Sequence, residues 1–173
     1  MRDVETRLGP LAVLVNNAGV AQQKLFCELT EEDWDEMMRV NAKSVFNCCR
    51  AAVPGMIQRK EGAIVNLSSM WGVAGGACEV HYSAAKAAVI GFTKALAKEL
   101  GPSGITVNCV APGVIDTDMN TDLDGETEKE LAEQTPLGRI GTPREAAEAI
   151  LFLAGGSAGF ITGQVLSPNG GFV

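Results

Sequence analysis

Histidine and tyrosine are almost missing from this 173-residue chain, which has one of each, His81 and Tyr82, side by side. With a single histidine, and five cysteines (Cys27, Cys48, Cys49, Cys78, Cys109) that form no C-x-x-C pair, no metal cluster can be drawn. Their odd number and apolar neighbours predict reduced, mostly buried thiols and a cytoplasmic protein. No apolar run approaches the ~20 residues of a membrane span, and the opening MRDVETRLGP lacks the apolar stretch of a signal peptide. Positive charge is scarce as well. Lys and Arg number 14 against 21 Asp and Glu, a net charge of −7, which excludes the basic face that nucleic acid requires.

What is abundant is glycine, at 20 residues, within a composition that is 46% hydrophobic and only 5% aromatic. That balance suits one α/β domain with close helix–sheet packing. Short apolar runs alternate with helical patterns. LAVLVNNAG (Leu11–Gly19), GAIVNLSS (Gly62–Ser69), GITVNCVAPG (Gly104–Gly113) and ITGQVLSPNGG read as strands with their turns. Thr30 is a candidate N-cap for the helical stretch that follows it, with a kink expected near Pro54 and Gly55. A further helix begins near Tyr82, with Val89, Phe92, Leu96 and Leu100 along one stripe. Residues 114–143 are polar and acidic and read as a substrate lid carrying a short helix. The order β-α-β-α-β-(lid)-α-β implies a doubly wound parallel sheet with right-handed crossovers.

The sole tyrosine has a lysine four residues after it, Lys86, and a serine thirteen residues before it, Ser69. On a helix, Tyr82 and Lys86 share a face. Ser69 lies just past the carboxyl end of its strand, the rim where open α/β sheets bind ligands. A tyrosine is a poor acid–base group at neutral pH because its reference pKa is about 10. A lysine cation ~4 Å away, at an effective dielectric near 20, favours the phenolate by ~4 kcal/mol, roughly three pK units. Tyr82 is thereby expected to titrate near neutrality, with the Ser69 hydroxyl bonding the oxygen on which negative charge develops. The bland alternative, a core tyrosine near a solvated lysine, fits less well with both spacings and the strand–loop–helix context.

NNAG after a strand, VNAKSVF, IVNLSS, YSAAK and VNCVAPGVIDTDM, in that order along nearly the whole chain, resemble the short-chain dehydrogenase/reductase family. The resemblance implies a Rossmann-like sheet and carbonyl reduction, or its reverse, with NADP or NAD, NADPH being favoured. It assigns Tyr82 as the acid, Lys86 as the group that lowers its pKa and holds the nicotinamide ribose, and Ser69 as the polariser of the carbonyl. Asn41 would anchor a water leading from Lys86 to solvent. Asn17, Ala18 and Gly19 would lie beside the adenosine, and Pro112, Gly113, Ile115 and Thr117 along the nicotinamide and pyrophosphate. Asn17, Gly19 and Pro112-Gly113 also suit ordinary turns, and Asn41 an ordinary buried hydrogen-bonder. Trp71 and Glu79 are read as shaping the substrate site, and His81 as a pocket or surface residue.

Members of the family begin with a strand and a T-G-x-x-x-G-x-G turn that receives the pyrophosphate at a helix N-terminus, and this chain has no such turn. The expectation is therefore a C-terminal portion of the fold, with the first three strands absent, an exposed apolar edge at LAVLV, and no turnover by the chain alone. Within the family it looks most like the group that reduces 3-oxoacyl thioesters on acyl carrier protein in fatty acid biosynthesis. Arg59-Lys60 could meet that acidic carrier, although the Pro102-Ser103-Gly104 turn is neutral. WGVAGGACEVHYSAAK and ITGQVLSPNGGF resemble instead the reductase of a 5-aminopentanone group on elongation factor P, whose cationic substrate would suit Glu79. A third reading is a non-catalytic oligomerisation remnant, since the helices after VNAKS and YSAAK form the family's main dimer contact. The resemblance implies a homotetramer.

Overall fold

Branched residues set the sheet: VLVN, GAIVNL and ITVNCV each pack poorly as helix and well as a strand buried on both faces. In the computed structural model, which describes residues 2–120 and 125–173, they form β1 (Val13–Asn16), β2 (Gly62–Leu67) and β3 (Ile105–Val110). A two-residue β4 (Val165–Leu166) completes a sheet of order β1-β2-β3-β4. All pairings are parallel, with Val15 opposite Val65 and Val65 opposite Asn108. The strands are shorter than the apolar runs suggest, because the ends of those runs, residues 17–19 and 168–171, lie beyond the last paired residues.

The helices are α1 (Arg2–Leu8), α2 (Glu31–Met38), α3 (Ser44–Arg59), α4 (Met70–Ala74), α5 (Val80–Leu100), α6 (Gly125–Gln134) and α7 (Pro143–Ala154). Thr30 caps α2 and Thr142 caps α7, each in a reciprocal capping box with Asp33 and Glu145. One face of the sheet packs Leu14, Ile64, Ile105, Val107 and Cys109 against Val45, Cys49, Ala52 and Met56 of α3 and Val89, Ala97 and Leu100 of α5. The other packs Val65, Leu67 and Val110 against Leu153 of α7 and Ala158. Two-sided cover of a parallel sheet is the doubly wound arrangement. Among the described residues no helix is long and apolar enough to cross a membrane.

Several expectations need correction. Helix α3 runs through Pro54 without interruption. Pro54 and Arg50, whose carbonyl loses its partner, are both exposed, so water can satisfy the freed group. The irregularity falls earlier, in a π-helical turn at Arg39–Lys43. The glycine-rich loop before Tyr82 contains α4, and α5 starts at Val80. Of the cysteines, Cys49 and Cys109 are buried and Cys48 is half-buried, but Cys27 and Cys78 are exposed. Val13 and Val15 on the edge strand β1 are 38% and 41% exposed while Leu14 is buried, so only one face of LAVLV is open. The ends of the 114–143 segment are closed by a parallel bridge between Ile115 and Gly141. Residues 121–124 of that segment lie outside the described residues.

Candidate active site

The carboxyl ends of the parallel strands open into a cleft of about 540 Å³. Asn17, Ala18 and Gly19 follow β1 into it, Leu67, Ser68 and Ser69 come from the end of β2, and Pro112, Gly113, Ile115 and Thr117 follow β3. Tyr82 and Lys86 reach it from α5, one turn apart. Every residue the sequence suggested for cofactor contact lines this cleft, together with Ser69. Asn41, Trp71, Glu79 and His81 are not among its lining residues.

Ser69 is held by local structure. It is the N-cap of α4, and its Oγ accepts the Trp71 backbone N–H at 3.2 Å. With that acceptor position used, the hydroxyl proton points elsewhere, and the hydroxyl is also hydrogen-bonded to Tyr82, so the two groups face one oxygen-sized position at the cleft. Lys86 is 4% exposed, donates to the Leu67 carbonyl at 3.1 Å, and lies 5.6 Å from the centre of the Tyr82 ring. Burial depresses its pKa from 10.5 to about 8. Neighbouring Ser68 donates to the Lys86 carbonyl at 2.8 Å, and a Cβ on Gly72 would sit 2.6 Å from that Ser68 hydroxyl. Only glycine at 72 lets α4 approach α5 this closely.

The Tyr82 phenol does not titrate near neutrality as the lysine spacing suggests. Burial raises its pKa above 10, the Ser69 hydroxyl pulls it back in part, and Glu79 raises it further. Burial, which disfavours the phenolate, is the largest cause of that rise. Tyr82 therefore holds its proton at pH 7.

Asn41 sits in the π-helical turn, 1% exposed, and grips the loop after β1. Its Nδ2 donates to the carbonyls of Val20 (3.0 Å) and Met37 (3.1 Å), and its Oδ1 accepts the Val20 N–H (3.2 Å). A Cβ on Gly19 would meet Asn41 Oδ1 at 2.7 Å and Lys86 Nζ at 3.2 Å. Position 19 is thus where the first loop, the π turn and the site lysine converge. Because Asn41 is pinned, Gly19→Ala is expected to cost about 1–3 kcal/mol; urea unfolding of the variant measures it, and an unchanged midpoint would contradict this reading of the contact.

The remaining suggested residues lie apart from the cleft. Trp71 packs with the Tyr82 cluster and meets Phe172 edge-to-face at 5.7 Å. Glu79 is buried, accepts from Gln23 Nε2 at 3.3 Å, and has a pKa raised by that burial. His81 is completely buried, neither a surface nor a cleft residue. Sequence reasoning missed Leu67, Ser68, Asp118 and Met119 and the α7 residues Pro143, Ala146, Ala147 and Ile150 of the lining. Those four share one helical stripe, a visible signal, but its facing the cleft depends on how α7 docks.

These features define a class. A family profile described as enoyl-(acyl carrier protein) reductase matches residues 1–173, and the chain belongs to the short-chain dehydrogenase/reductase family. Among its relatives are 3-oxoacyl-[acyl-carrier-protein] reductases. That of Chlamydia muridarum is 48% identical over 94% of this chain and 66% of its own length. That of Vibrio cholerae is 43% identical over 99% of this chain and 70% of its own length. The crystal structure of a gluconate 5-dehydrogenase from Burkholderia cenocepacia, in complex with NADP and tartrate, superposes with a TM-score of 0.95 at 35% identity, covering 99% of this chain and 68% of that one. The chain spans 66% and 64% of the first two curated relatives it matches.

Proposed function

We propose that this chain carries the proton-transfer site of an NAD(P)H-dependent ketoreductase whose substrate is a 3-oxoacyl thioester on acyl carrier protein. The observation that carries the reading is the convergence of a protonated buried phenol, a serine hydroxyl bonded to that phenol, and one buried lysine on a single cleft. The relatives named above supply the substrate class, and the complexed gluconate dehydrogenase supplies NADP as the cofactor class.

The described lining fits half of a nicotinamide dinucleotide. Lys86 Nζ, the Thr117 hydroxyl and the Asn17 amide are donors suited to a ribose and a carboxamide. Lys86 is the one cation among the described lining residues, and the sequence holds no T-G-x-x-x-G-x-G turn, so nothing in the cleft matches a pyrophosphate. When bound, the nicotinamide supplies a hydride to the carbonyl carbon. Tyr82 gives its proton to the carbonyl oxygen, and Ser69 donates a hydrogen bond to the same oxygen as it becomes an alkoxide. The Lys86 cation stabilises the phenolate left on Tyr82 until a solvent proton restores it.

Joining residues 1–173 to the part of the Vibrio cholerae relative that this chain does not match tests the assignment. The fusion is expected to oxidise NADPH with a 3-oxoacyl thioester, and residues 1–173 alone to show no measurable turnover. A folded fusion that binds NADPH but reduces no ketone would falsify the reading. The 5-aminopentanone alternative gains no support from Glu79, the carboxylate it calls on, since that group is bonded to Gln23 and does not line the cleft.

A further inference from the structure

The helix that carries Tyr82 and Lys86 starts under poor local conditions. Glu79, at its N-cap position, makes no side-chain cap bond. The residue before it, Cys78, has φ 60°, a left-handed conformation that costs a non-glycine residue of order 1 kcal/mol. An uncapped helix start next to a strained residue frays unless something outside the helix holds it.

The loop after β1 does so with three consecutive residues. The Lys24 N–H donates to the Cys78 carbonyl at 2.7 Å, Gln23 Nε2 donates to Glu79 Oε1 at 3.3 Å, and Gln22 Oε1 lies 2.9 Å from His81 Nε2. Behind this strip stands Asp33 of α2. Its Oδ1 accepts from Gln22 Nε2 at 3.1 Å and its Oδ2 from Lys24 Nζ at 2.6 Å.

Asp33 fixes the direction of the whole chain of bonds. The Lys24 ammonium and the Thr30 and Gln22 hydrogen bonds hold its carboxyl far below the usual range, so it accepts only. Gln22 must then turn its NH₂ to Asp33 and its carbonyl oxygen to His81. His81 must answer with an N–H at Nε2. Its Nδ1 is buried without a partner among the described residues, which suits an unprotonated nitrogen and would leave a buried N–H unpaired if it were charged. Burial also lowers the His81 pKa, against the pull of Asp33 and with the push of Lys24.

We propose that His81 is a positioning residue. As a neutral imidazole protonated at Nε2, it is the anchor through which Gln22 and Asp33 clamp the loop of residues 20–24 onto the start of α5, and it thereby fixes the adjacent Tyr82 phenol in the site. Its bearing on catalysis rests on the reductase reading; the clamp itself does not.

The chain's only histidine and only tyrosine are the two residues concerned, so each can be observed without assignment ambiguity. Nitrogen-15 histidine NMR on the 173-residue protein is expected to show one neutral Nε2–H imidazole from pH 6 to 8. Carbon-13 labelling at tyrosine Cζ reads Tyr82 alone. His81→Leu and, separately, the milder Gln22→Ala are expected to shift that signal and its titration, and to lower protection of the Lys24 amide against hydrogen exchange about tenfold, as loss of one buried hydrogen bond allows. His81→Gln, which restores a donor to Gln22, is expected to recover both. In the fusion protein, the first two variants should lower kcat several-fold with KM for NADPH unchanged.

A charged or Nδ1–H histidine, or an unchanged Tyr82 signal and Lys24 amide in folded Gln22→Ala, overturns the clamp. A fusion that reduces no ketone while the Tyr82 signal still moves leaves the clamp standing and removes the reductase reading instead.

Discussion

Tyr82→Phe is expected to lower kcat of the reductase fusion by ~10²–10⁴, the range for loss of a positioned general acid, while the folded state is scarcely disturbed. The ring packs with Met37 and Ala85, with Met38 and Trp71 alongside, and phenylalanine keeps all of that surface. Only the hydroxyl is lost. Burial already raises the phenol's pKa, so the wild-type residue is a proton donor throughout the neutral range. The contrast to measure is kcat against KM for NADPH in steady-state kinetics, with thermal unfolding as the control. A variant retaining more than a tenth of wild-type kcat would show that the proton comes from another group.

Lys86→Met is expected to remove the activity of the fusion and to stabilise the fold at once. Burial holds the lysine pKa at about 8 against 10.5 in the unfolded chain. At about 1.4 kcal/mol per tenfold change in proton affinity, that is a penalty of about 3 kcal/mol for folding with Lys86 charged. Loss of the bond to the Leu67 carbonyl gives back about 1 kcal/mol. Methionine fills similar space without charge, so a net gain of about 1–3 kcal/mol is expected at pH 7.

The pH dependence follows from the sign of the shift. Below about pH 8 lysine is protonated in both states and the penalty is complete. Between 8 and 10.5 the unfolded chain binds more protons than the folded one, so wild-type stability recovers relative to the variant as pH rises. The buried thiol of Cys49, raised to about 11 from 9, pushes stability the other way above pH 9 in both proteins alike, whereas Cys109, also raised to about 11, interacts with Lys86 and does not cancel between them. Below pH 9, where the thiols stay protonated in both states, the difference between wild type and variant in urea unfolding reports Lys86. It should be largest at pH 7 and shrink by pH 9; a variant less stable than wild type at pH 7 would mean that the ammonium is better solvated than its burial implies. A chain that keeps such a lysine accepts a less stable fold and holds a cation in the cleft.

Much of the site was legible in the sequence because its signals are local. The four-residue spacing of Tyr82 and Lys86 becomes a shared helix face by geometry alone, and Ser69, at the end of an apolar run, reaches the rim of the sheet. Glycine at 19 was visible as a turn residue, but not as the point where Asn41 and Lys86 close in to within 2.7 and 3.2 Å of an absent Cβ. The protonation of Tyr82 was misjudged for a similar reason. Spacing gives the distance to a cation, while desolvation depends on everything else that packs around the phenol.

The sequence by itself determined the parallel α/β order, the helix cap at Thr30, and the spacing that brings Ser69, Tyr82 and Lys86 to one rim of the sheet, since strand runs, caps and helical offsets act between residues close in the chain. Only the tertiary structure decided that Pro54 is absorbed in an exposed helix face, that Ala146 and Ile150 of α7 wall the cleft, and that His81 is wholly buried. These depend on contacts between segments far apart in sequence. The bonds from Gln22, Gln23 and Lys24 to the start of α5 span more than fifty residues, and no periodicity along the chain encodes them.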